Sequence, residues 1–168
     1  MKTRKILFYI FGVIAVAINV LIIVESFIGG NNSASQSFSI SEAVADALDS
    51  FNPSGVVVSD RIAFHSAIRK IVGHFLLFGL SGLFTTATLF LNDYLYQKFR
   101  WKTLLLSLGF GLVVALVSEL IQYFVPGRYG VLTDVLIDFA GYLGFTTLTY
   151  FIIYSIYKRH NIETKKPD

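Results

Sequence analysis

The chain contains no cysteine. That absence excludes disulfides, thiolate nucleophiles and thiolate metal ligands. Charge is scarce as well: 15% of the 168 residues are charged, against 54% hydrophobic and 15% aromatic. A water-soluble domain of this size carries more charge and less apolar surface, and the mean hydropathy is +0.64. There is no glycine-rich phosphate loop, no zinc-protease signature and no internal repeat. The net charge of +3 does not point to nucleic acid, because the basic residues flank apolar runs. The first of these runs is too long for the apolar centre of a signal peptide, and no small-residue cleavage pattern follows it. It is therefore read as a retained helix.

What the chain does have is four apolar runs, at residues 6–28, 71–91, 104–125 and 131–157. Each meets the roughly 20 residues needed to cross a bilayer. The last exceeds it, so that run tilts or extends beyond the lipid. The expected fold is all-α: one polytopic membrane domain over residues 1–168, with four transmembrane helices and a short outer amphipathic helix. Lys2, Arg4, Lys5, Lys98, Arg100, Lys102, Lys158, Arg159, Lys165 and Lys166 fall on one side of such a topology and make up ten of the 14 basic residues. By the positive-inside rule that side is cytoplasmic. Both termini are then cytoplasmic, and residues 29–70 and 126–133 lie outside. Tyr94, Tyr96, Trp101, Tyr150, Tyr154 and Tyr157 form an inner aromatic belt, and Tyr123, Phe124 and Tyr129 an outer one. A chain of this kind suits a bacterial cytoplasmic membrane.

The outer segment divides in two. Residues 29–41 are rich in Gly, Asn and Ser and read as a flexible loop. Ser39 and Glu42 have the spacing of a capping box. Val44, Leu48 and Phe51 then share a face opposite Asp46 and Asp49, as in a short amphipathic helix ended by Asn52-Pro53. It either lies on the lipid surface or covers the bundle. Asp60 is placed to cap a further helix, with Ile62, Ile68 and Ile71 as its apolar stripe, continuing into the second crossing. Pro126-Gly127 ends the third crossing in a tight hairpin, so crossings three and four pack together. Gly109, Gly111, Gly141 and Gly144 permit close helix approach.

Polar side chains recur near the outer ends of crossings two, three and four. Lys70 and His74 are four residues apart, Glu119 and Gln122 three apart, and Asp134 and Asp138 four apart. Each pair thus shares a helix face. Glu119 lies about 9 Å along the axis inside Val125, and Arg128 sits in the hairpin. Ionisable groups at such depths cost several kcal/mol unless paired, hydrated or used. One reading is an interhelical ion-pair network that only holds the bundle together. Others are a grip on phosphate or carboxylate, a divalent-cation site built on His74, Glu119 and Asp138, or acid–base chemistry by His74 with a buried carboxylate. Two permanent cations, Lys70 and Arg128, favour the anion over the metal, so no metal is expected. On this reading His74, Glu119 and Asp138 are the candidate catalytic groups, and Lys70, Gln122, Arg128 and Asp134 bind the ligand. His65 reads as a surface or interface residue, and Glu25 as one that reaches water. Ser118 does not complete a hydrolase triad, because Glu119 points about 100° away around the helix.

The segments 69–75, 118–128 and 134–141, with the pattern E-x-x-Q-x-x-x-x-x-R followed by D-x-x-x-D-x-x-G, resemble the VanZ-like family of small bacterial membrane proteins. Asp138 stands where many relatives have Asn, and Phe78 where many have Tyr. The family takes its name from a protein associated with low-level resistance to the glycopeptide teicoplanin. The resemblance implies a cell-envelope role and settles neither a reaction nor a cofactor. The partners it suggests are the bilayer with an anionic lipid or lipid-linked cell-wall precursor, or a lipoglycopeptide antibiotic that a non-catalytic bundle binds or excludes.

Overall fold

A computed structural model describes residues 2–51, 60–95 and 101–163. Among these there are helices and no strands: α1 (Lys2–Ser26), α2 (Gly30–Ser50), α3 (Arg61–Ile68), a π-helical segment (Arg69–Leu76), α4 (Leu77–Leu95), α5 (Trp101–Phe124) and α6 (Leu132–Glu163). Four stretches are long and apolar enough to cross a membrane: Thr3–Ser26, Arg61–Asp93, Trp101–Phe124 and Leu132–Arg159. The second starts ten residues before the apolar run, because α3, the π-helical segment and α4 are continuous. Asp60 caps this long rod as its sequence position suggests, its Oδ1 accepting from the Ala63 N–H at 3.0 Å.

The segment read as a loop and a short helix is instead one helix. α2 begins at Gly30, so residues 30–41 are helical and Ser39 and Glu42 stand in its interior. Intrinsic propensity opposes helix in a Gly/Asn/Ser stretch; tertiary contacts override it. The Gly30 N–H donates to the Pro126 carbonyl at 3.2 Å, tying the helix start to the α5–α6 turn. Ser39 and Ser41 turn their hydroxyls back onto the Ser35 and Ser37 carbonyls at 3.3 and 2.9 Å, so they compete less with the helix. Further along, Arg61 pairs with Glu42, Asp46 and Asp49 at 3.4, 3.2 and 2.7 Å. His65 pairs with Glu42 at 2.9 Å and stacks on Phe38. His65 is thus an interface residue. Ser41 and Ala45 are buried on the inward side, while Val44, Leu48 and Phe51 are exposed. The Asn52-Pro53 stop lies outside the described residues, as do Tyr96, Lys98, Arg100, Lys165 and Lys166.

The main packing is between α4 and α6, which run parallel, with α5 antiparallel beside both and α1 laid against α4. Gly141 makes the approach of α6 to the π-helical segment possible, since a Cβ there would strike the Phe75 carbonyl. At Gly82 a Cβ would lie 2.6 Å from the Tyr142 carbonyl oxygen. Gly111 leaves room for the Tyr142 ring, whereas Gly109 and Gly144 face open space. Two of the four glycines expected to allow close approach do so. Ile22, Phe78, Val114, Ala115, Val135 and Tyr142 form the apolar core. Below it, Thr86 bonds to Ser107 at 2.7 Å and to Thr146 at 3.0 Å, and Ser107 meets the Tyr142 hydroxyl at 3.2 Å. These hydroxyls satisfy one another across three helices where lipid offers no partner.

Candidate functional site

The polar groups collect at the end of the bundle where the π-helical segment meets the start of α6. Each i, i+4 pair of one helix faces a pair on the other. Lys70 Nζ lies 3.1 Å from Asp134 Oδ1, and His74 Nδ1 lies 2.9 Å from Asp138 Oδ1. Wider turns in the π-helical segment change which residues face α6, a departure from regular helix often found at functional sites. His74 and Asp138 are buried, while the Lys70 side chain is 43% exposed.

Glu119 reaches the same place from α5. Its Oε2 accepts the Val131 N–H at 3.1 Å, bridging the end of α5 to the chain entering α6. Its Oε1 lies 3.9 Å from His74 Nδ1. The turn between these helices is tight: Gly127 has φ +74°, a conformation that glycine adopts without strain. The structure therefore brings His74, Glu119, Asp134 and Asp138 together from three parts of the chain, at one level of the bundle.

The cations divide differently from expectation. Lys70 faces Asp134 and is not part of the adjoining cavity. That cavity, about 300 Å³ in volume, is lined by Arg69, Arg128, His74, Gln122, Ser118, Ser26 and Glu25. Leu21, Ile22, Ile68, Val72, Leu77 and Phe78 supply its apolar wall, and Ser37 and Ile40 of α2 reach it from above. Burial, and next the charge of Arg69, lower the Arg128 pKa below its ordinary value, while Glu119, Glu25 and Asp134 act in the opposite direction. An arginine keeps its proton throughout the physiological range. Arg128 also donates to the Glu25 carbonyl at 3.4 Å.

Ser118 and Glu119 are both buried although they point apart, because α5 is covered on two sides. Ser118 turns toward α1, where its hydroxyl meets that of Ser26 at 2.9 Å and accepts from Gln122 at 3.4 Å. Glu119 turns toward His74 and α6. Sequence reasoning did not select Arg69, Ser26 or Ser37, and set Glu25 and Ser118 aside. Arg69 adjoins Lys70, and only the backbone geometry between them decides which faces the cavity. Ser118 could have been found from its i, i+4 spacing to Gln122.

A family model described as VanZ/LLP1 matches residues 7–155. No curated protein matches, and no solved structure does.

Proposed function

The chain belongs to the VanZ/LLP1 family, and on that footing we propose that its cavity binds an anionic lipid or lipid-linked envelope precursor. One observation carries this reading: Arg69 and Arg128 share a cavity with a single carboxylate, Glu25, so it keeps a net positive charge beside an apolar wall of Leu21, Ile22, Ile68, Val72, Leu77 and Phe78. The two guanidiniums repel each other and Glu25 offsets only one of them, so an anion in the cavity is favoured. Arginine offers phosphate and carboxylate a planar, bidentate donor set. The serines and Gln122 add neutral partners, and the aliphatic wall suits the chain attached to a headgroup. A water-soluble anion would gain nothing from that wall.

In this proposal the site opens to the outer side of a bacterial cytoplasmic membrane, with both termini inside. The basic-residue asymmetry supports that orientation. The family's association with teicoplanin resistance suits the place, since glycopeptides act on precursors displayed there. His74 sits at the cavity edge with Asp138 holding its ring. This pair can donate or accept a proton at a bound headgroup, so modification as well as binding lies within the chemistry of the site.

The test is to purify the protein from its membrane and identify co-bound lipids by mass spectrometry. An acidic lipid or polyprenyl phosphate at near-stoichiometric level supports the reading, provided Arg128→Gln loses it. Recovery of bulk membrane lipid in bulk proportion, unchanged in Arg128→Gln, contradicts it. A rival, a non-catalytic bundle that binds or excludes the antibiotic, predicts binding of teicoplanin to the purified protein.

A further inference from the structure

We infer that Glu119, Asp134 and His74 form a divalent-cation site beside the cavity, suited to zinc or manganese. Each residue offers one ligand atom, and these atoms all lie within 4.8 Å of one another. Ligands on opposite sides of a cation bound at about 2.1–2.4 Å stand roughly 4–5 Å apart, so the cluster has the size of a coordination sphere. One imidazole nitrogen with two carboxylate oxygens is a donor set for zinc or manganese rather than for a soft, thiolate-loving ion.

Orphaned oxygens point independently to a missing positive partner. Glu119 is 4% exposed, yet among the described residues its Oε1 has no hydrogen-bond partner. Its Oε2 is already occupied by the Val131 N–H, so the carboxylate is fixed with one oxygen aimed at His74. Asp138 is fully buried and its Oδ2 is likewise without a partner. Buried carboxylate oxygens are costly when left bare. Across the cluster, the three carboxylates of Glu119, Asp134 and Asp138 outnumber Lys70 and the more distant Arg128, so negative charge is left over when His74 is neutral. A divalent ion balances that surplus.

The expected repulsion by Lys70 and Arg128 carries less weight in this geometry. Lys70 is half exposed and can turn to solvent, freeing Asp134. Arg128 belongs to the cavity, where Glu25 shares its charge, so it offsets only part of the negative charge of Glu119 and Asp134. Asp138 takes His74 Nδ1 at 2.9 Å, which leaves Nε2 for the ion, so Asp138 is a positioning residue that fixes the ring and its tautomer. The metal site does not rest on the lipid reading: Glu119 and Asp134 lie outside the cavity lining, only His74 is shared, and a bound ion would take the place of proton transfer by that ring.

The experiment is elemental analysis of wild-type protein purified without affinity tag or chelator, followed by metal stripping and thermal unfolding with added zinc, manganese, magnesium or calcium. About one ion per chain is expected, with unfolding raised by several degrees on adding zinc or manganese. Glu119→Gln and Asp134→Asn should lose the ion, and Asp138→Asn should weaken binding about 10–100-fold. His65→Gln, which removes the His65–Glu42 pair, should retain it. Folded wild-type protein holding less than about a tenth of an equivalent after exposure to all four ions overturns the inference. So does an ion kept in Glu119→Gln but lost in His65→Gln. The wild-type measurement decides even if a site variant fails to fold.

Discussion

His74 and Asp138 stand 2.9 Å apart where the π-helical segment, continuous with α4, packs on α6. The contact joins a π-helical turn to a regular one, and both side chains are buried. Such a pair is sensitive to the loss of one member and tolerant of a change that keeps the hydrogen bond. Asp138→Ala should destabilise by about 3–5 kcal/mol, because it strands a buried imidazole. Asp138→Asn keeps an oxygen acceptor for the ring N–H and should cost about 1 kcal/mol. Denaturant or thermal unfolding in detergent distinguishes the two, and equal losses would show that the contact contributes little.

Glu119→Gln and Arg128→Gln separate a functional site from a merely structural network. The amide oxygen introduced by Glu119→Gln would still accept the Val131 N–H, and the side chain introduced by Arg128→Gln would remain in a turn. Compared as metal-free protein, both variants should unfold within about 1 kcal/mol of wild type while losing any envelope phenotype of the intact protein. Failure of both to fold, with no folded but inactive variant, would favour the network.

Much of this architecture is legible before any coordinates. Hydropathy marks the four crossings because lipid admits only backbones that satisfy themselves, and Asp60 announces its helix through its own side chain. The polar level near one end is legible from i, i+3 and i, i+4 spacings. α2 is not: its Gly/Asn/Ser stretch is helical because Pro126 and Arg61, distant in sequence, hold it. Nor can spacing assign Arg69 rather than Lys70 to the cavity, since a π-helical segment alters the angle per residue. The parallel α4–α6 pairing is also hidden, because short connections advertise only consecutive neighbours.

Gly141 and Gly144 offer a matched pair for testing that hidden packing. Gly141→Ala places a methyl group against the Phe75 carbonyl and should destabilise by about 1–3 kcal/mol. Gly144→Ala meets open space and should be neutral or stabilise by up to about 1 kcal/mol. Thermal unfolding of the two variants under identical detergent conditions checks the ranking.

Arg61 fastens α2 through three carboxylates, all partly exposed. Pairs of this kind contribute roughly 0.2–1 kcal/mol each and weaken with salt. Arg61→Gln should therefore raise amide hydrogen exchange in α2 with little change in global unfolding. High salt should reproduce part of the effect in wild type. Unchanged exchange in α2 would mean that its packing alone holds it.

The proposed orientation is open to a simple chemical test, because the chain has no native cysteine. Ser35→Cys, at an exposed position of α2, should react with a membrane-impermeant thiol reagent in intact cells. Lys165→Cys should react only after permeabilisation. The opposite pattern would invert the topology.

The central claim is that the arginine-lined cavity recognises a negative headgroup attached to an aliphatic chain. It is tested most directly by the affinity of purified protein for phosphatidate against diacylglycerol of the same chain length, in wild type, Arg69→Gln and Arg128→Gln. Each charge-assisted hydrogen bond is worth about 1.5–3 kcal/mol, so phosphatidate should bind at least about tenfold more tightly than diacylglycerol. Each substitution should weaken it by about 10–100-fold and leave diacylglycerol unaffected. Equal affinity for the two lipids, or phosphatidate binding unchanged in both variants, would contradict the account.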